Sequence, residues 1–412
     1  MIMLKPWKSM NLSVFAVSLF FSSVLVLSGV CVSHAEAYMF SFSEEKVLGR
    51  ALSEDYLMSV KTVRDDLGVK NMQNVIINAN ASVFRNRGDG RTLEWIRVVD
   101  EGNNSISAST LAGGYIYITE DTLKFINTIP DKGYIEGQLR PNVMHNVYND
   151  SMLSFVIAHE MSHWANMDFL KHYNTVESAN AMRSVLGVGK ATMTREQGMQ
   201  YLQNYENRQD IRNFSIQVED QADIDGIKYA NKNGMYSGTG GALMYLHRNA
   251  KLEGITGSGG VSYNPHSATG KRLNRVYAYL RSSSNNRVSI DNMGRLTVDG
   301  KLLNGNGKAP ADRREVTAQE RTFYVAGQIA SAIQKGLFSS GNLKALNAGS
   351  VYLPANIYIQ GQSALVLSDA NGNGVIVEKF FFGEDRLNAI LHGAVPQTAE
   401  EVYAKNLISL IP

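Results

Sequence analysis

The sequence predicts an α+β chain: a mainly helical region containing a small sheet, followed by a smaller α+β C-terminal part. Three observations carry this reading. Ser154–His163 reads as part of an apolar helix containing His159-Glu160-Met161-Ser162-His163. Phe214–Ala230 reads as a second helix, with four acids between Glu219 and Asp225. Short β-branched and aromatic runs lie before the first helix and again towards the C-terminus.

On a helix, residues four apart share a face, so His159 and His163 can address one ion. Neutral imidazoles suit Zn²⁺ at about 2.0–2.1 Å. Glu160, beside the first of them, can hold and deprotonate a water on that ion. Asn149, Asp150 and Ser151 are cap-type residues, and Met152, Phe155, Val156 and Ile157 give an apolar stripe. Five positions with two of them free recur by chance, and the alternative is a pair of half-buried helix histidines. A second constellation is required.

The acidic helix supplies it. Glu219 and Asp223 are four apart and share one face. A carboxylate from one helix and two histidines from another make the His₂Glu set of a catalytic zinc site, one zinc per chain, with the fourth position open. Asp223, one turn on, is placed to accept a hydrogen bond from the outer ring nitrogen of a ligand histidine. Small residues at Ala222 and Gly226 permit close packing on the histidine helix. The alternative is a solvated acidic face.

Taken from its start, the chain opens with a secretory signal, residues 1–37. Lys5 and Lys8 form a positive region, Leu12–Val32 is apolar, and Ala35-Glu36-Ala37 is a cleavage site. An uncleaved membrane anchor is the alternative. Cys31 is the only cysteine and leaves with the signal, so the mature chain is expected to have no disulfide or thiolate chemistry. A net charge of +2 over 412 residues gives no basic field of the kind nucleic acid requires. The export signal predicts an extracytoplasmic, periplasmic protein; no segment of the mature chain is apolar enough to span a bilayer, with peripheral envelope association still open.

Ser41–Val60 is predicted helical, started by Ser43, Glu44 and Glu45. Val75-Ile76-Ile77 and Thr92–Val99 read as short strands. Leu111–Thr119 reads as a further strand with a glycine pair at its start. Gly113, Gly114 and Tyr115 are candidate substrate-binding positions if that strand is an edge that pairs with an extended peptide. The alternative, preferred on local sequence, is a plain strand with a bulge. Residues 130–150 read as a loop, with His145 assigned no role, and Thr175–Gln209 as a polar helical insertion.

His159-Glu160-x-x-His163 followed by Glu219-x-x-Ala222-Asp223 resembles the zinc metallopeptidase family that includes the HtpX heat-shock protease and the CAAX prenyl endopeptidase, with secreted envelope quality-control relatives. The likeness extends to Gly113-Gly114-Tyr115 through Thr119 and to Leu48-Gly49-Arg50 in the opening helix. It also reaches His266 and Arg272, six residues apart, and covers roughly Ser41–Val276. This chain has Ser267 where the family has proline, and Pro265 before the histidine. The resemblance implies a gluzincin fold of the zincin class, zinc on His159, His163 and Glu219, Glu160 as base and Asp223 orienting a ligand. It implies a catalytic or gating role for His266, a catalytic role for Arg272 close by, and a polypeptide substrate.

After the acidic helix, His247 reads as a surface residue and Gly254–Gly260 as a loop. A compositional shift at Ser282–Asn286 suggests a peptidase domain over 38–285 and a C-terminal α+β domain of unknown role over 286–412. In the latter, Arg287–Leu303 reads as a hairpin, Ala318–Leu337 as an amphipathic helix and Ser350–Phe382 as strands. Asp369–Gly374 mimics the start of a calcium loop, but position twelve is Phe380, so a hairpin turn is the better reading. The function expected is an extracytoplasmic zinc endopeptidase acting on envelope or misfolded proteins. The alternative is a chaperone-like or latent binder on the same fold.

Overall fold

The computed structural model describes residues 38–102, 105–127, 146–256, 269–310, 316–348 and 362–412. Residues 1–37, read above as an export signal, and His145 and His266 lie outside the described residues. Helix α1 (Phe42–Leu57) is capped by Ser41, whose side chain accepts from the Glu44 amide while the Glu44 carboxylate accepts from the Ser41 amide. Then come β1 (Thr62–Arg64), α2 (Leu67–Ala79), α3 (Ala81–Phe84), β2 (Trp95–Asp100), β3 (Ala108–Leu111), β4 (Tyr115–Thr119) and α4 (Glu120–Asn127). Val75-Ile76-Ile77 is therefore helix, not strand. Val69, Met72 and Ile76 recur three and four apart and are buried together, so helical packing overrides β-branched composition.

The first sheet has the order β1-β2-β4-β3, with β2 and β4 parallel and the outer pairs antiparallel. Its two faces serve different cores, as the two-residue period requires. Ile96, Val98, Ile116 and Ile118 belong to the cluster that contains the histidine helix. Trp95, Val99, Tyr115 and Tyr117 pack in a second cluster with Leu48 and Leu52 of α1. Strand β4 is interior, so the edge-strand reading of Gly113, Gly114 and Tyr115 is corrected. Gly113 (φ 69°) and Gly114 (φ 80°) make the left-handed turn that folds β3 back on β4. The outer strand on that side is β3.

Next follow α5 (Val147–Ala165), α6 (Asp168–His172), α7 (Val176–Leu186), α8 (Arg195–Glu206), α9 (Gln209–Asn231), α10 (Gly238–Thr256) and α11 (Thr269–Ser283). α5 starts earlier than its polar residues suggest. Asn146 is the cap, accepting from the amides of Tyr148 at 3.1 Å and Asn149 at 2.8 Å. The α7–α8 insertion places Ala179, Met182 and Leu202 in the α1 cluster.

The remainder is β5 (Val288–Ile290), β6 (Leu296–Val298), β7 (Lys301–Leu302), α12 (Ala318–Gln334), β8 (Leu343–Asn347), β9 (Ser363–Ser368), β10 (Gly374–Phe380), α13 (Glu384–Leu391) and α14 (Ala399–Ser409). The turn from β9 to β10 is closed by Asp369 Oδ1, which accepts from the amides of Asn371 and Asn373, both at 2.9 Å. Helix α12 is not amphipathic in place, being buried on nearly every face against α10, α5 and β10. His247 is half-buried rather than surface: its ring stands edge-on to Phe323 of α12 at 5.4 Å, and burial lowers its pKa to about 4. One hydrophobic cluster runs from Val69 to Ile411, across the compositional shift near residue 285.

Among the described residues, no helix is long and apolar enough to cross a membrane.

Candidate active site

The site is built where α9 crosses α5. A side chain at Gly226 would place its Cβ 2.8 Å from the His159 amide nitrogen and 2.9 Å from its Cα, so only glycine permits this approach. Ser162 strengthens the crossing: its hydroxyl lies 2.7 Å from the His159 carbonyl and 3.3 Å from that of Ala222. Both helices are thus fixed at the turn that carries the chemistry.

His159 Nε2 lies 3.3 Å from His163 Nε2 and 3.3 Å from Glu219 Oε2, and His163 Nε2 lies 3.6 Å from Glu219 Oε1. For bonds of about 2.0–2.1 Å, the edge of a tetrahedron is about 3.3–3.4 Å, so three donors at these separations suit zinc with one corner free. All three residues are buried, and their donor atoms lie within 4.8 Å of one another. The donor set fits the metal.

Each histidine has a carboxylate at its other ring nitrogen. His159 Nδ1 lies 3.0 Å from Asp223 Oδ1, and His163 Nδ1 lies 2.9 Å from Asp168 Oδ2. Such contacts turn Nε2 outward as the ligating atom. Arg272 grips Asp223 with two bonds, Nε to Oδ2 at 2.8 Å and Nη2 to Oδ1 at 2.6 Å. Burial alone would raise Asp223, but Arg272 and His159 hold it well below the usual carboxylate range. Burial likewise disfavours charge on His159, but Asp223 and Glu219 outweigh it and raise the metal-free imidazole to about 10.

Glu160 follows His159 on α5 and is buried. Thr110 Oγ1 of β3 lies 2.9 Å from its Oε2 and 2.7 Å from its carbonyl oxygen. Strand β3 runs beside it with one side open: among the described residues no strand pairs with its outer edge. The Thr119 amide donates to the Ser107 carbonyl at 3.0 Å, which sets the alternation of the β3–β4 ladder. Ser109 and Leu111 then bond to β4, while the main-chain groups of Ala108 and Thr110 face outward.

The structure brings His159, Glu160, His163, Glu219, Asp223 and Arg272 together. Gly113, Gly114 and Tyr115 lie apart, under α1, where Glu45 Oε1 accepts from the Gly113 amide at 3.2 Å and Glu45 pairs with Arg91. Sequence reasoning missed Asp168 and Thr110. Asp168 follows the left-handed Met167 (φ 58°), which turns the chain back after α5, so no helical spacing links it to His163. Thr110 comes from a strand fifty residues away and carries no spacing signal at all.

Among protein families, peptidase family M48 matches residues 73–280, a span that holds α5, α9 and Arg272. No curated protein matches the chain.

Proposed function

Because the chain belongs to peptidase family M48, whose members are zinc metallopeptidases, we propose that it cleaves envelope or misfolded polypeptides outside the cytoplasm with Glu160 as general base. The observation that carries the reading is the trio of donors at tetrahedral separations with a buried carboxylate base beside it. Zinc, when bound, acidifies water and polarises a scissile carbonyl.

His159, His163 and Glu219 hold the metal; Asp223 and Asp168 fix the two rings, and Arg272 fixes Asp223. Glu160 takes a proton from the attacking water on a carboxylate oxygen and delivers it to the leaving nitrogen. The peptide lies extended along the outer edge of β3, where Ala108 and Thr110 offer main-chain donors and acceptors. Residues 1–37 act as an export signal, as their charged, apolar and Ala-x-Ala segments suggest.

The test is zinc content and casein cleavage for the chain from Tyr38 onward and for Glu160→Gln. One zinc in each, with cleavage reduced about 10²–10⁴-fold in the variant, is expected. Zinc without cleavage in either protein would point instead to a latent or binding role, and absence of zinc would end the metallopeptidase assignment.

A further inference from the structure

Thr110 stands between the outer edge of β3, unpaired among the described residues, and the Glu160 carboxylate. Its main chain faces away from β4, where an extended peptide would pair, while its side chain points to the α5 face of the sheet. There the hydroxyl lies 2.9 Å from Glu160 Oε2 and 2.7 Å from the Glu160 carbonyl oxygen, and the residue is buried. One hydroxyl hydrogen therefore sits within reach of two acceptors on the same glutamate.

We infer that Thr110 is a positioning residue that ties the lie of the substrate strand to the general base, with its main chain in the peptide's register and its hydroxyl fixing the Glu160 carboxylate. The inference rests on the peptidase reading above. A glutamate side chain has three rotatable bonds, and backbone attachment alone fixes none of them. A misplacement of about 1 Å at a reacting group can cost about 100-fold in rate. The hydroxyl suits both forms of the base. It donates to Oε2 while Glu160 is a carboxylate. Once Glu160 has taken the water's proton, the hydroxyl can turn its hydrogen to the carbonyl oxygen and accept from the carboxylic acid instead.

The experiment compares Thr110→Val, which keeps the shape without the hydroxyl, with Thr110→Ser, which keeps the hydroxyl; Thr110→Ala replaces the valine variant should that not fold. Steady-state kinetics, zinc stoichiometry and the crystal structure of each zinc-loaded variant are measured. The expected result is a kcat about 10–100-fold lower for Thr110→Val with KM within about threefold, and recovery to within about threefold of wild type for Thr110→Ser. Zinc stoichiometry stays unchanged, and the Glu160 carboxylate leaves its wild-type position in Thr110→Val alone. Wild-type kcat in Thr110→Val, an equal loss in Thr110→Ser, or an unmoved carboxylate would each overturn the inference. A wild-type protein that holds zinc and cleaves nothing would sink the peptidase reading and this role with it. Normal cleavage by Thr110→Val would sink only this role.

Discussion

His159 uses its two ring nitrogens for different purposes, and the difference has a measurable consequence. Nδ1 sits 3.0 Å from Asp223, while Nε2 faces Glu219 and His163. With two carboxylates close by, the metal-free ring holds its proton up to a pKa of about 10 despite burial, and His163 is raised as well. A zinc ligand must be neutral at its ligating nitrogen, so zinc must displace that proton. The sign follows from the order of the values. Near pH 7.5 the metal-free ring is protonated, so zinc uptake releases its proton; above about pH 10 the ring is already neutral and its share of the release falls away. Titration calorimetry in buffers of different ionisation heat should therefore show about one proton or more released per zinc near pH 7.5. No release would mean that the metal-free His159 is neutral and that Asp223 does not hold it as the geometry implies.

The crossing of α5 and α9 shows which parts of the site were legible beforehand. His159, Glu160 and His163 could be picked out because a helix turns spacing into a shared face, and Glu219 with Asp223 for the same reason. Thr110 and Asp168 could not, because a strand edge and a left-handed turn bring them in and neither leaves a periodic trace. The same limit misread Val75-Ile76-Ile77, where three β-branched residues spelled strand but Val69, Met72 and Ile76 already marked a helical stripe. The option of an edge strand at the glycine pair fails as well: the pair is the left-handed turn that leaves β3, not β4, at the outer edge among the described residues. Gly226 is the point at which this element-scale geometry can be tested. A methyl group there meets the His159 backbone at under 3 Å, so Gly226→Ala must push the helices apart and carry Glu219 away from both histidines. Overpacking of this kind costs about 1–3 kcal/mol and alanine's helix propensity returns about 1 kcal/mol, a net loss of up to about 2 kcal/mol. Gly226→Ala is expected to lower the unfolding free energy by that amount and to weaken zinc retention against a chelator. Unchanged values in both would show that the crossing is looser than the contact distances indicate.

At the scale of the whole molecule, α10 lies between α5 and α12, and both contacts are close enough to need glycine. A Cβ at Gly241 would overlap the Ser151 carbonyl of α5, and one at Gly240 would lie 2.7 Å from Tyr324 Cα of α12. Buried charges bind the same layers. Arg248 of α10 donates to Glu320 at 2.6 Å and to the Ile126 carbonyl at 2.7 Å. Glu378 of β10 accepts from Tyr148 of α5 at 2.8 Å and from Arg321 of α12 at 2.9 Å. The first turn of the histidine helix is thus hydrogen-bonded directly to the C-terminal sheet. Ending the chain at residue 285 would strip α12 from α10, leave Arg248 without its carboxylate and leave the Tyr148 hydroxyl without Glu378. The apolar faces of α10 and α5 that α12 covers would also be laid open to water, at about 25 cal/mol per Å², set against a total stability of about 5–15 kcal/mol. Residues 38–285 are therefore expected not to fold alone, and the chain from Tyr38 onward to unfold in one calorimetric transition whose van't Hoff and calorimetric enthalpies agree. Two resolved transitions, or a cooperative fold for 38–285 with zinc bound, would instead make 286–412 a separate domain, and the shared core would then be an interface between two folded units.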